Sequence, residues 1–256
     1  MKTLIAIATL LVLLCGCAST DSSNSDNVKQ AEVWQNYWVE YNEAGNDLTA
    51  CCTFRFGGST GTTLLLTKPA NVTFEDREMA SSSGVLIEGV IGGTHYGYDG
   101  KGFKPQYVFK YTNNDGKTFT NSIGITKCEV EEVPELLDAT KTNIFVFKLP
   151  PVAKNENLRV EVTNDKNQWV YIDEPEVNGN SISIDGSKLN ELGNGEVNVR
   201  FQKTKSTDLK EAEHLGGAIG ITYYTKQYRA KLVNANKQNI DNNIDTVQTT
   251  NQREQR

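Results

Sequence analysis

From residue 33 to 233 the sequence is a succession of short alternating runs broken by glycine, asparagine and aspartate, and this punctuation restricts the chain to antiparallel β structure. Alternation of period two marks a strand with one face buried. Residues 49–56, the glycine-rich stretch 57–61 and residues 62–67 read as strand, turn and strand. Residues 107–111, 113–116 and 117–120 repeat the scheme around Asp115-Gly116, a strong hairpin signal. Residues 84–91 and 122–126 supply two further strands, and nothing between Val33 and Val130 has helical periodicity of useful length.

Residues 133–142 carry Pro134, Glu135 and Asp138 and read as a linker. Beyond it, 144–147, 158–162, 169–172, 182–184, 197–201 and 218–233 make six or seven strands. Pro150-Pro151 ends the first of these, because neither residue can donate to a ladder. In 169–172 the reading assigns Trp169 and Tyr171 to the core. Residues 181–189 followed by 192–201 have a strand, crossing turn, strand outline that resembles immunoglobulin-like sandwiches, with Leu189 and Leu192 plugging one end of the core. No Cys-Trp-Cys signature accompanies it. The expected fold is all-β, with two tandem antiparallel β-sandwich domains over 31–132 and 143–234, the second immunoglobulin-like.

At the N-terminus, Lys2, an apolar run from Leu4 to Leu14, and Gly16 before Cys17 have the layout of a cleavable export signal. The run is too short for a membrane span, which needs roughly 17–25 residues. Leu14-Cys15-Gly16-Cys17 resembles the lipobox of bacterial lipoproteins, with Cys15 a mild departure from the usual small residue. The resemblance implies removal of residues 1–16 and acylation of Cys17. With Ala18 rather than Asp after it, it also implies outer-membrane sorting, at the periplasmic face or the cell surface. An ordinary secretory signal is the alternative. Residues 17–30 read as a flexible tether that stands the body off the bilayer. The Asn-, Gln- and Thr-rich stretch 235–256 reads as a disordered tail, or as a terminal helix bearing Ile240, Ile244 and Val247.

The net charge of −6 argues against nucleic acid or an anionic membrane surface as partner. After Cys17, three cysteines remain. Strand parity makes Cys52 the candidate to meet Cys128 in a disulfide, the alternative being three free buried thiols. Gly57-Gly58-Ser59-Thr60-Gly61 matches a nucleophile elbow, yet a strand follows where a helix is needed, and His95 and His214 are the only histidines. Residues 113–116 fail as a calcium loop, because Tyr111 and Ser122 occupy the carboxylate positions. No zinc spacing is present, so no metal and no cofactor is expected.

One loop reads as more than connective. Residues 92–103 set His95, Tyr96, Tyr98 and Phe103 among five glycines. Such rings stack on sugars or anchor a protein partner, or else fill the core. The expectation is a non-catalytic, lipid-anchored envelope protein that binds a glycan or an envelope protein through these residues. The alternatives are a hydrolase of envelope polymers with an acidic pair, and a structural subunit of an envelope assembly.

Overall fold

The structure, a computed structural model, describes residues 22–83 and 93–234. The signal segment, Cys17, the strand expected at 84–91 and the tail 235–256 lie outside the described residues. The first segment runs β1 (Ser22–Asn24), two single turns of 3-10 helix (Ser25–Asn27 and Gln30–Glu32), β2 (Val33–Asn42), β3 (Asp47–Phe56), β4 (Thr62–Leu65), β5 (Asn71–Phe74), β6 (Arg77–Glu78), β7 (Ala80–Ser83), β8 (Thr94–Lys101), β9 (Gln106–Thr112) and β10 (Thr118–Gly124). The second runs β11 (Val130–Glu132), β12 (Leu136–Asp138), β13 (Thr142–Phe147), β14 (Glu156–Asn164), β15 (Trp169–Asp173), β16 (Glu176–Asn178), β17 (Ser181–Asp185), a 3-10 helix (Gly186–Leu192), β18 (Gly195–Asp208), β19 (Gly217–Tyr224) and β20 (Tyr228–Val233). The all-β expectation holds. No helix among the described residues is long and apolar enough to cross a membrane.

The largest sheet follows the path β1-β4-β3-β2-β19-β18-β14-β15, with β8 and β7 beside β3, and β20 and β12 beside β18. Two four-stranded sheets complete the layers, β10-β9-β5-β6 in the first segment and β11-β13-β17-β16 in the second. The first core is largely aromatic. Tyr37 packs on Phe109 at 4.8 Å between centroids, Phe54 on Tyr111 at 4.3 Å, and Phe74 on Phe109 at 4.8 Å. Alternation along β2 supplies one side of it, with Val33, Tyr37, Val39 and Tyr41 turned inward. In the second core Phe201 meets Phe145 at 5.4 Å and Phe147 at 5.1 Å. Ring pairs of this kind contribute about 0.5–1.5 kcal/mol beyond the apolar area they bury.

The second segment has the immunoglobulin-like order, one sheet of β11-β13-β17-β16 facing β15-β14-β18-β20. Leu189 and Leu192 are buried on the crossing helix, whose entry Asp185 caps by accepting from Ser187 N at 2.9 Å.

The division between segments differs from the one expected at 133–142. Strand β18 pairs with β20 through residues 195–199 and with β19 through residues 202–208. The whole of β19 then pairs in parallel with β2, from Gly217 opposite Gln35 to Tyr224 opposite Asn42. A strand from the second half of the chain therefore completes the first sandwich. The approach is close, for a Cβ on Gly217 would stand 2.0 Å from the Gln35 carbonyl oxygen. Asn121 fastens the β18–β19 connection to β10, its Oδ1 accepting from Lys210 N and Glu211 N and its Nδ2 donating to Glu211 O at 2.7 Å. Sequence parity identifies β19 as a strand but carries no information on its partner, which is far away along the chain.

Residues 22–30 also depart from expectation. They lie on the body rather than forming a free tether, because β1 pairs in parallel with β4 and the polar side chains of Ser25 and Gln30 are buried. Composition misses this, since Val28 is the one sizeable apolar residue of the stretch that packs on the core and the other anchors are polar.

Where β18 passes from one sandwich to the other, its inward alternation of Val197, Val199 and Phe201 continues with Lys203, which is fully buried. The ammonium donates to Thr126 Oγ1 at 2.8 Å and stands 3.3 Å from Glu156 Oε2. Lys203→Ala would leave the Glu156 carboxylate buried without its counter-charge, and a loss of about 3–5 kcal/mol is expected in urea denaturation. The paired replacement Lys203→Met/Glu156→Leu removes both charges and is expected to recover most of that loss. A single-variant loss below about 1 kcal/mol would show that the pair is not held dry.

Candidate functional site

The structure does not assemble His95, Tyr96, Tyr98 and Phe103 into an exposed platform. His95 and Tyr96 are each 5% exposed on β8. The His95 ring nitrogen Nδ1 lies 3.3 Å from Gly93 O. The Tyr96 hydroxyl accepts from Leu66 N at 2.6 Å, its ring meets Phe54 edge-on at 5.8 Å, and burial pushes its pKa up to about 12. Tyr96 stands opposite Cys52 and Tyr98 opposite Ala50, both core positions, so the alternation of β8 sends both rings inward. Tyr98 packs on Phe74 at 5.2 Å and accepts from Arg77 Nη1 at 3.0 Å. Phe103 is wedged between Tyr41 and Tyr223, at 5.3 and 5.7 Å. Tyr96 also lines a cleft of about 510 Å³ with Leu66, Val72 and Met79. The stretch 57–61 leads from β3 into β4, so no helix follows Ser59.

Cys52 and Cys128 are not joined, and all three described thiols are free and buried. The Cys52 sulfur lies 3.8 Å from Met79 Sδ inside the first sandwich. Cys128 follows β10, in the charge environment of Lys203 and Glu156. Burial raises Cys51 to about 11 and Cys128 to about 12, and holds Cys52 well above its ordinary value. At neutral pH the thiols stay protonated and unreactive. A disulfide reagent added to residues 18–256 is expected to titrate no thiol in the native protein and three after denaturation. Fewer than three after denaturation without reductant would reveal a bridge.

A different surface has the properties of a contact site. β15 ends the large sheet, and its alternation turns Ile172 into the core and Trp169, Tyr171 and Asp173 outward. Trp169 is 59% exposed and Tyr171 48% exposed. Register carries the same outward face across the neighbouring strands. Tyr171 stands opposite Glu161 and Asp173 opposite Arg159 on β14, while Glu161 and Arg159 stand opposite Arg200 and Gln202 on β18. Gln202 in turn faces Tyr224 on β19.

Charge pairs order this face. Arg159 Nε donates to Asp173 Oδ1 at 2.5 Å, and its guanidinium stands 5.2 Å from the centre of the Tyr171 ring. Arg200 donates to Glu161 at 2.6 Å and stands 4.7 Å from the centre of the Tyr224 ring. Burial raises the pKa of Glu40, which lies on the same outward side of β2, and the Arg200 charge opposes that rise. Beside Tyr171 a cleft of about 250 Å³ is lined by Asn157, Leu158, Arg159, Asp173, Glu174, Gln202 and Thr204. Glu174 holds a left-handed backbone, φ 49°, and donates from its N–H to Leu158 O at 3.1 Å, which turns the chain at the cleft. Amide, hydroxyl, carboxylate and guanidinium groups thus line this cleft, and Arg159 links it to the Tyr171 ring. Among the described residues no group of three or more His, Cys, Asp and Glu is placed to hold a metal ion.

Sequence reasoning placed Trp169 and Tyr171 in the core. The correcting signal lies in the same run: Val170 and Ile172 hold the other parity, and on a strand buried on one face that pair takes the interior.

No protein-family model and no curated protein matches the sequence. Among solved structures, the chain is similar to a tetra-tandem repeat in the extending region of a large adhesion protein, with 11% identity and a TM-score of 0.25 over 78% of this chain and 49% of that one. It is also similar to the Yersinia pseudotuberculosis adhesin InvE, with 11% identity and a TM-score of 0.20 over 80% and 59% of the two chains. A third is the FN1–FN3 domains of chicken CNTN1, with 11% identity and a TM-score of 0.18 over 77% and 65%. The chain spans about half the length of the adhesion-protein repeat. At such distances the functional reading is built on the site's own geometry.

Proposed function

We propose that this chain is a lipid-anchored, non-catalytic binding protein of the cell envelope that takes a glycan on the outward face of β15, β14 and β18. The observation that carries the reading is the exposed pair Trp169 and Tyr171 on the strand whose end, at Asp173, lines a polar cleft. Fully burying a large apolar side chain contributes about 1.5–3 kcal/mol, of which the fold forgoes a part twice on one short strand. Exposed apolar surface rimmed by polar groups marks a contact site. The polar lining suits a ligand rich in hydroxyls. Ring faces stack on the apolar faces of sugars, while Asn157, Gln202, Thr204 and the Arg159–Asp173 pair exchange hydrogen bonds with the hydroxyl rim. The anchoring part of the proposal rests on Leu14-Cys15-Gly16-Cys17, with two or more acyl chains on Cys17 supplying stable attachment.

Affinity electrophoresis of residues 18–256 against soluble polysaccharides tests the site. Retardation by at least one polysaccharide is expected, with the Trp169→Ala/Tyr171→Ala variant binding about tenfold or more weakly, equivalent to about 1.4 kcal/mol. Tyr96→Phe, a change inside the first core, is expected to leave binding unaltered. Retardation undiminished in the double variant would remove the site from this face. Absence of binding to every polysaccharide would remove the glycan.

A further inference from the structure

The contacts of residues 22–32 limit how far the body can stand from a lipid attached at Cys17. Ser22 pairs with Thr63, and its hydroxyl lies 3.0 Å from Thr63 Oγ1 and 2.8 Å from Thr94 Oγ1. Ser25, fully buried, accepts from Thr67 N at 2.9 Å. The Gln30 amide locks the two short helical turns together. Its Nε2 donates to Ser25 O at 2.7 Å and Val28 O at 3.0 Å, and its Oε1 accepts from Asn114 N at 3.2 Å. Those of Ser25 and Gln30 are hydrogen bonds of buried side chains, whose loss leaves donors and acceptors unsatisfied.

The clamp begins only five Cα steps after Cys17. Five steps reach at most about 18 Å by any path. Released to Glu32, the same chain would have fifteen steps and a reach of about 54 Å. The clamped strand also has a definite place in the sheet: β1 and β15 are the two ends of one hydrogen-bonded path, seven strand spacings apart. At about 4.8 Å each, these spacings amount to about 34 Å along the sheet.

We infer that this polar clamp makes the anchor a short leash, holding the β1–β4 edge at the lipid surface and leaving the β15 edge, with Trp169 and Tyr171, as the end of the sheet farthest from it. The inference rests on attachment through Cys17, as in the proposed function. It replaces a body standing off the bilayer with one seated on it, its first sandwich next to the lipid. The surface that meets the membrane is then the β3–β4 connection at residues 57–61 and the β4 edge beside Ser22. The partner of that surface is the lipid headgroup layer.

The test attaches residues 17–256 through Cys17 to vesicles of phosphatidylcholine containing a maleimide lipid, since the remaining thiols are buried. A dye is installed through an azide-bearing residue at position 59, in the β3–β4 connection, or at position 168, before β15. Energy transfer to a headgroup acceptor is expected to be about twofold or more greater from position 59 than from position 168, given the short leash and the width of the sheet. Ser25→Ala/Gln30→Ala, which opens the clamp, and an insert of about twenty Gly and Ser residues before Ser22, which leaves the fold untouched, are each expected to lower transfer from position 59. Equal transfer from both positions in the parent chain, or no response to the insert, would overturn the inference. Because the lipid is supplied chemically, that outcome is distinct from failure of the anchoring reading, which would appear as an unacylated Cys17 in the mass of the protein recovered from cells.

Discussion

Strand β18 runs for 14 residues without a break, longer than either sandwich alone requires, and the rest of the structure is arranged along it. Its first half serves the second sandwich, lying between β14 and β20. From Gln202 onward β19 replaces β20 on one edge and is brought beside β2, while β14 stays paired on the other edge as far as Lys205. Without β19, the backbone groups of β2 on that side would be unpaired from Gln35 to Asn42, and Tyr37, Val39 and Tyr41 would lose the cover that Ile219, Ile221 and Tyr223 give them. Parallel pairs are normally found well covered on both sides, and here Trp38 lies over Gly220 on the outer face of the pair. A Cβ at Gly220 would come within 2.0 Å of the Trp38 ring, so the small residue is part of the fit.

The same strand joins the chemistry of the two halves. On its inner side, Lys203 places a buried charge against Glu156 and reaches Thr126, while Lys205 donates to Gly124 O at 3.1 Å. These contacts tie β18 to the segment leading from β10 to β11. On its outer side, Arg200 and Gln202 continue the face that begins at Trp169 and Tyr171. The contact face is therefore built on the terminal strand β15 and its neighbours β14 and β18 in one continuous sheet, where its side chains are positioned by register rather than by loop conformation.

Strand existence was legible because alternation is a local property. Thr49 to Phe56, Val197 to Phe201 and the Asp115-Gly116 hairpin all stand where period two and turn chemistry put them. Pairing was less so. Nothing in residues 217–224 distinguishes a strand that closes its own sandwich from one that closes another, because the difference lies in a long-range partner. The site was misread for a related reason. Glycine-rich surroundings make Tyr96 and Tyr98 look like loop residues, whereas β8 pairs with β3, which buries Tyr96 and packs a half-buried Tyr98 on Phe74. The clamp at Ser25 and Gln30 is not legible because a segment with Val28 as its one sizeable apolar residue reads as free chain, and buried polar groups held by hydrogen bonds leave no mark in composition.

The dependence of the first sandwich on β19 is tested most directly by comparing the urea unfolding of residues 22–132 with that of residues 22–234. If the donated strand is what closes the first core, the shorter fragment shows no cooperative transition and no fixed aromatic environment in near-ultraviolet circular dichroism, while the longer one unfolds in a single step that different probes report together. A cooperative transition in residues 22–132, with the near-ultraviolet signature of the tyrosine and phenylalanine core intact, would contradict the account.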